Sequence, residues 1–189
     1  MEYSTTSQGR SCFTELKDSG TRREFDSGAV RDMAEGKGRC DLLPLDVVAD
    51  LLRYYERIPE CYKGIGIVDA IHLFTMPPHD DSDKELIFQA LFEFSMKNGW
   101  YIPTMLLEVS KHFEDGCAKY GERNWEKGIP AHCYIDSALR HYFKWMRGDN
   151  DEPHDRAFCW NLLCLLWTVN NRPWCDDIAR EEEKPDGDG

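Results

Sequence analysis

The sequence predicts an all-α domain, a helical bundle of about five or six helices with a loop-rich N-terminal segment. Three observations carry this reading. Apolar residues recur every three or four positions through most of residues 45–169. Alternating strand patterns are scarce. Proline and glycine mostly mark the edges of the periodic stretches.

Each helix has its own signals. Pro44 precedes LDVVADLLRYY, where Val47, Val48, Leu51, Leu52 and Tyr55 share a face. IPECYKGIG (58–66) is a turn. IVDAIHLFTM (67–76) fits a short buried helix, with a strand as the alternative, and Pro77 and Pro78 stop it. In residues 80–99, Asp81, Ser82 or Asp83 can cap a helix whose inner face is Ile87, Leu91 and Phe94, and Asn98-Gly99 ends it. The helix in residues 100–121 turns Met105, Leu106, Val109, Phe113 and Cys117 inwards. Glu108, Lys111, His112 and Asp115 follow on the adjoining stripe. GERNWEKGIP (121–130) is a polar loop. The helix YIDSALRHYFKWMRG is expected to bury Ile135, Leu139, Tyr142 and Met146. GDNDEP breaks it, and HDRAFCWNLLCLLWTV, the most apolar helix, should be central. Domain boundaries follow: a flexible N-terminus at 1–20, one helical domain at 21–175, and an acidic disordered tail at 176–189.

Composition bounds the function. A chain of 189 residues with 41% hydrophobic and 12% aromatic residues can bury a real core. A net charge of −12 argues against duplex nucleic acid or a membrane surface as partner. It leaves room for a small anionic ligand met by Mg²⁺ or a few local Arg and Lys side chains. No apolar run reaches the ~18 residues of a membrane span, and MEYSTTSQGR lacks the order of a signal peptide, so a cytoplasmic protein is expected. The eight cysteines show no CxxC pair and read as reduced thiols.

Four constellations can carry chemistry. Residues 21–44 concentrate cations, and Gly36-Lys37-Gly38-Arg39 can expose backbone N–H groups to phosphate; an ordinary solvated loop is the alternative. Glu108 or Glu114, with Asp115 and Asp136, from neighbouring helices, can hold a hard cation, unless Glu114 and Asp115 are simply solvated and Asp136 pairs with Arg140. His141 and the His154-Asp155 pair follow the ligand order of HD-type metal phosphohydrolases, a weak signal that His79-Asp80 shares. In KYGERNWEKG, Lys119, Arg123 and Lys127 offer charge to a phosphate, Tyr120 and Trp125 offer faces to a base, and Asn124 can read its edge. The alternative is a helix–helix connection whose Trp125 plugs the core. Asn161, set in an apolar helix, needs a partner, expected from Asp136, Arg140 or His141.

The blocks TRREFDSGAVRDMAEGKGRCDLLP, FEDGCAKYGERNWEKGIP, DSALRHYFKWMRGDNDEPH and AFCWNLL resemble a phage-associated family, the N-terminal domain of dATP/dGTP diphosphohydrolases. The resemblance spans residues 21–169, with 59–103 looking like an insertion relative to shorter members. It implies a domain akin to the all-α nucleotide pyrophosphohydrolases, which use Mg²⁺ on helix carboxylates to release pyrophosphate. Those enzymes carry ExxE on one helix and ExxD on the next. Here the two helices offer adjacent Glu114 and Asp115, then Asp136, so neither spacing is kept on them.

The expectation is thus a nucleotide-binding protein hydrolysing a purine (deoxy)nucleoside triphosphate with Mg²⁺ or Mn²⁺, in the host cytoplasm if phage-encoded. Glu114 and Asp136, with Asp115, would hold the metal. Lys37, Arg39, Lys119, Arg123, Lys127 and Arg140 would face the phosphates, and Tyr120, Asn124 and Trp125 the nucleoside; Asn161 would join the substrate-binding set or support a metal ligand. His141 or His154 would move the proton. A homo-oligomer is expected, since related folds complete their sites across dimers. A binder that sequesters a signal nucleotide without turnover, and an HD-like metal phosphohydrolase, stay open.

Overall fold

The computed structural model describes residues 20–58, 63–76 and 83–178. The expected N-terminal flexibility (1–19), the tail beyond Ile178, the His79-Asp80 pair and the capping positions 81 and 82 lie outside the described residues. The chain divides into two compact units, residues 1–35 and 36–189.

The first unit contains one antiparallel hairpin. Strand β1 (Arg22–Glu24) pairs with β2 (Val30–Asp32), placing Arg22 opposite Asp32 and Arg23 opposite Arg31. The Gly28 N–H donates to the Phe25 carbonyl at 2.7 Å, and Gly28 takes a φ of +80°, which lets the chain reverse. The sequence pattern does not reveal these strands. They are three residues long and exposed on every side chain, so no apolar alternation marks them.

The second unit is helical, with six α-helices among the described residues: α1 (Leu45–Arg57), α2 (Ile67–Phe74), α3 (Asp83–Lys97), α4 (Ile102–Tyr120), α5 (Ala131–Arg147) and α6 (His154–Asn171). Short 3₁₀ turns span Cys40–Leu42, Asn124–Lys127 and Pro173–Cys175. The stretch that could be strand or helix is α2, and it packs on α3. Pro103 sits in the first turn of α4, where its missing N–H costs nothing. Helix α6 is central. It packs against α1, α3, α4 and α5, and Phe158, Cys159 and Leu162 through Leu166 are all buried. The six cysteines among the described residues are unpaired thiols, and burial pushes those of Cys159 and Cys164 up.

The turn between α5 and α6 positions the chemistry. Gly148 adopts the left-handed conformation (φ +84°, ψ 21°). Its N–H meets the Trp145 carbonyl at 3.0 Å, and the Asp149 N–H meets the Lys144 carbonyl at 3.1 Å. This is the Schellman arrangement that ends a helix and reverses the chain. Helix α6 therefore starts beside the last turns of α5. The buried face of α5 is Ala131, Tyr134, Ala138, His141 and Tyr142, so of the expected stripe only Tyr142 is buried. Ile135 and Leu139 are half-buried and Met146 is 62% exposed. The helix is rotated so that a histidine, rather than a methionine, faces inwards.

Phe94, fully buried on α3, joins three elements. Its ring centroid lies 4.4 Å from Phe158, 4.9 Å from Trp145 and 6.2 Å from Tyr142. Phe94→Ala should cost about 3–5 kcal/mol of unfolding free energy. Phe143→Ala, at a half-exposed position of α5, should cost less than about 0.5 kcal/mol. Urea denaturation followed by circular dichroism measures both.

Candidate functional site

A cavity of about 420 Å³ opens between α4, the Asn124–Lys127 turn, α5 and α6. Its apolar walls are Phe113, Tyr120, Trp125, Ile129 and Trp160. Its polar lining is His112, Arg123, Asn124, Ser137, His141 and Asn161. Trp125 is held edge to face, by Phe113 at 5.7 Å and 72° and, behind it, by Trp167 at 4.8 Å and 82°, while Phe113 and Trp160 are tilted at 54°. The local fold explains the loop's part in this. Gly121 ends α4 and Arg123 takes a φ of +51°, so the chain folds back and the 3₁₀ turn drives Trp125 inwards.

Two buried nitrogens of residues that line this cavity lack partners: Nδ1 of His112 and the indole Nε1 of Trp125. A buried polar atom left unpaired costs about 1–3 kcal/mol. Burial, opposed by the nearby Asp115, Glu152 and Asp155 carboxylates, lowers the His112 pKa below its ordinary 6.5 and favours the neutral ring. The cavity thus presents aromatic faces with a few polar side chains, an arrangement able to meet a flat heterocycle.

Beside it lies a second cluster. Nδ1 of His141 is 2.9 Å from Nδ1 of His154. Oε1 of Glu152 is 3.8 Å from the first and 3.6 Å from the second. Nε2 of His154 meets Oδ1 of Asp151 at 2.8 Å. Glu152 and the two histidines form a group able to hold a metal ion; Asp149, Asp151 and His154 form another. Asp149 is already paired with Arg147. His141 belongs both to the cluster and to the cavity wall.

Other predicted residues are placed as follows. Glu114 accepts backbone N–H groups from Gly36 at 3.0 Å and Gly38 at 2.8 Å. The glycine loop thus closes on a carboxylate of the chain itself. Gly38 is irreplaceable there, because a Cβ would lie 2.1 Å from the Ser110 hydroxyl and its φ is +87°. Lys37 is exposed in that loop. Arg39 is held by Asp41 at 2.7 Å and Glu122 at 3.0 Å, which keep its guanidinium charged. Asp136 pairs with Arg140 at 2.6 Å, both exposed, and Asp115 is exposed. Among the described residues, Glu114, Asp115 and Asp136 form no common ligand group. Tyr120, Arg123, Asn124, Trp125, His141 and Asn161 do converge on the cavity. Arg123 also donates to the Asp41 carbonyl at 2.7 Å and pairs with Glu126, and Lys127 donates to Asn124 at 3.1 Å. Lys119 lies 4.9 Å over the Tyr120 ring. Asn161 donates to the Ala157 carbonyl at 2.8 Å, one turn back on its own helix, rather than to α5.

Sequence reasoning missed Trp160, Ser137, Asp151 and Glu152, and gave His112 no role. A signal existed for His112, which stands one residue before the apolar Phe113 on α4. The acids were hidden because a turn-breaking GDNDEP looks the same whether or not it holds histidines.

A family model described as dATP/dGTP diphosphohydrolase, N-terminal, matches residues 81–178, just over half of the chain. No curated protein and no solved structure matches.

The depressed His112 pKa has a sign. Between the folded value and about 6.5 the unfolded chain binds a proton that the folded chain refuses, so stability falls as pH drops below about 6.5. Urea titrations between pH 7.5 and 5 should show this fall, at no more than about 1.4 kcal/mol per pH unit for this group. In His112→Leu the slope should be shallower.

Proposed function

The chain belongs to the dATP/dGTP diphosphohydrolase N-terminal family, and on that premise we propose that it binds a purine deoxynucleoside triphosphate and hydrolyses it to the monophosphate and pyrophosphate. The observation that carries the reading is the cavity. Its volume of about 420 Å³ suits a small ligand. Its aromatic walls suit a base, and Asn124, Ser137 and Asn161 in its lining offer donors and acceptors for the polar edge of a purine. Arg123 in the cavity wall and Lys119 beside Tyr120 supply positive charge for the phosphates. Holding base and triphosphate in one orientation is itself a large part of such catalysis.

Mg²⁺ or Mn²⁺ is expected to enter with the triphosphate, whose oxygens supply several of its ligands and which it would neutralise. The chain's own carboxylates fit a preformed all-oxygen cage poorly. Glu114 is occupied by the glycine loop and Asp136 by Arg140. That occupancy favours a second reading, in which the same cavity binds a signal nucleotide and releases it unchanged.

Chromatography of reactions with dATP, dGTP and their ribonucleotides, with and without Mg²⁺ or Mn²⁺, decides between them. Metal-dependent appearance of dAMP or dGMP with pyrophosphate supports hydrolysis. A purine nucleotide that binds and is recovered intact supports sequestration. No binding of any purine nucleotide overturns both. Stacking on an aromatic ring is worth about 1–3 kcal/mol per base, so Trp160→Ala should weaken binding roughly tenfold or more, read by isothermal titration.

A further inference from the structure

We propose that Nδ1 of His141, Nδ1 of His154 and Oε1 of Glu152 form a binding site for one divalent transition-metal ion of the Zn²⁺, Co²⁺ or Mn²⁺ class. The three atoms stand 2.9, 3.6 and 3.8 Å apart. A triangle with those sides has a circumscribed radius of about 2.0 Å, from the product of the sides over four times the area. Metal–nitrogen and metal–carboxylate bonds to such ions are about 2.0–2.2 Å long. An ion in the plane of the three atoms, or just off it, reaches all of them without any side chain moving far, and at least one coordination position stays open.

The surroundings favour metal over an ordinary buried histidine pair. His154 is 2% exposed and His141 8% exposed. Asp151, a carboxylate, fixes the proton of His154 on Nε2 at 2.8 Å. That leaves Nδ1 of His154 with its lone pair directed into the cluster. A carboxylate on the far nitrogen of a ligating histidine is the arrangement that orients metal-bound imidazoles and raises their basicity. Lys144 holds Asp151 at 3.0 Å and stands 3.6 Å from Glu152. Its ammonium partly offsets the cluster's negative charge, and a bound cation competes with it.

Donor chemistry selects the ion. Two imidazoles and one carboxylate suit borderline transition metals, whereas Mg²⁺ asks for oxygen ligands at near-octahedral geometry. The cluster therefore differs from the Mg²⁺ expected to accompany a nucleotide. Because His141 also lines the cavity, the ion would stand next to whatever occupies it. The site does not depend on what that ligand is.

The test uses the full chain without a histidine tag, stripped of metal by a chelator and titrated with Co²⁺ and then Zn²⁺. One equivalent of Co²⁺ should bind, giving visible d–d absorption, and Zn²⁺ should bleach it. A thousandfold excess of Mg²⁺ should not. Glu152→Gln, at a half-exposed position, should weaken Co²⁺ binding at least tenfold while leaving helicity unchanged. Asp151→Asn should weaken it tenfold to a hundredfold through the orientation of His154. His141→Asn should abolish it. Lys144→Met should tighten it. Absence of one-equivalent Co²⁺ binding, or binding indifferent to Glu152→Gln and His141→Asn together, would overturn the site. Metal binding is read here with no nucleotide present, so it can fail or succeed independently of hydrolysis.

Discussion

Helix α6 imposes the constraint on which the rest depends. From Ala157 to Leu166 it is buried on nearly every face, so its polar groups must be satisfied inside the protein or be left for a ligand. Asn161 turns back on its own carbonyl at Ala157, Thr168 approaches the Tyr134 hydroxyl at 3.5 Å, and His154 is met by Asp151 and His141. The other helices are arranged to cover it. Phe94 reaches from α3 to Phe158, and α5 returns alongside through the Gly148 reversal.

That arrangement creates two adjoining environments of different character. One is the aromatic cavity, walled by Phe113, Trp125 and Trp160. The other is the imidazole and carboxylate cluster at the start of α6, where acids from the turn meet histidines from two helices. His141 joins them. The glycine-rich loop is anchored separately by Glu114, whose carboxylate takes two backbone N–H groups, and the Arg39 N–H donates to the Ser110 carbonyl at 2.9 Å. Glu114 thus fixes a loop that the sequence offered as a phosphate cradle.

The surface charges follow a different logic. Glu108 is bound by Lys111 at 2.6 Å and by Arg156 at 2.6 and 3.0 Å, which ties α4 to α6 and lowers its pKa. Asp50 bridges α1 to Lys84 on α3 at 3.3 Å and also pairs with Arg53. Such exposed or half-exposed pairs contribute little stability individually, and they span the surface between neighbouring helices. They also occupy acids that, read along the chain, resemble candidate metal ligands.

The sequence by itself determined the helical class, the order and approximate limits of the helices, and the central place of α6. Apolar spacing reports local periodicity directly. It also pointed to Tyr120, Arg123, Asn124, Trp125, His141 and Asn161, because a short Gly-bounded segment and polar residues in apolar helices are conspicuous in one dimension. Only the tertiary structure decided which carboxylates stand together. Glu114 and Asp136 look equivalent to Glu152 in sequence, yet Gly36 and Gly38 claim the first, Arg140 the second, and the histidines the third. It also decided the roll of α5, which turns His141 inwards and Met146 outwards. Helical spacing limits which residues can share a face; packing against α6 selects among those faces.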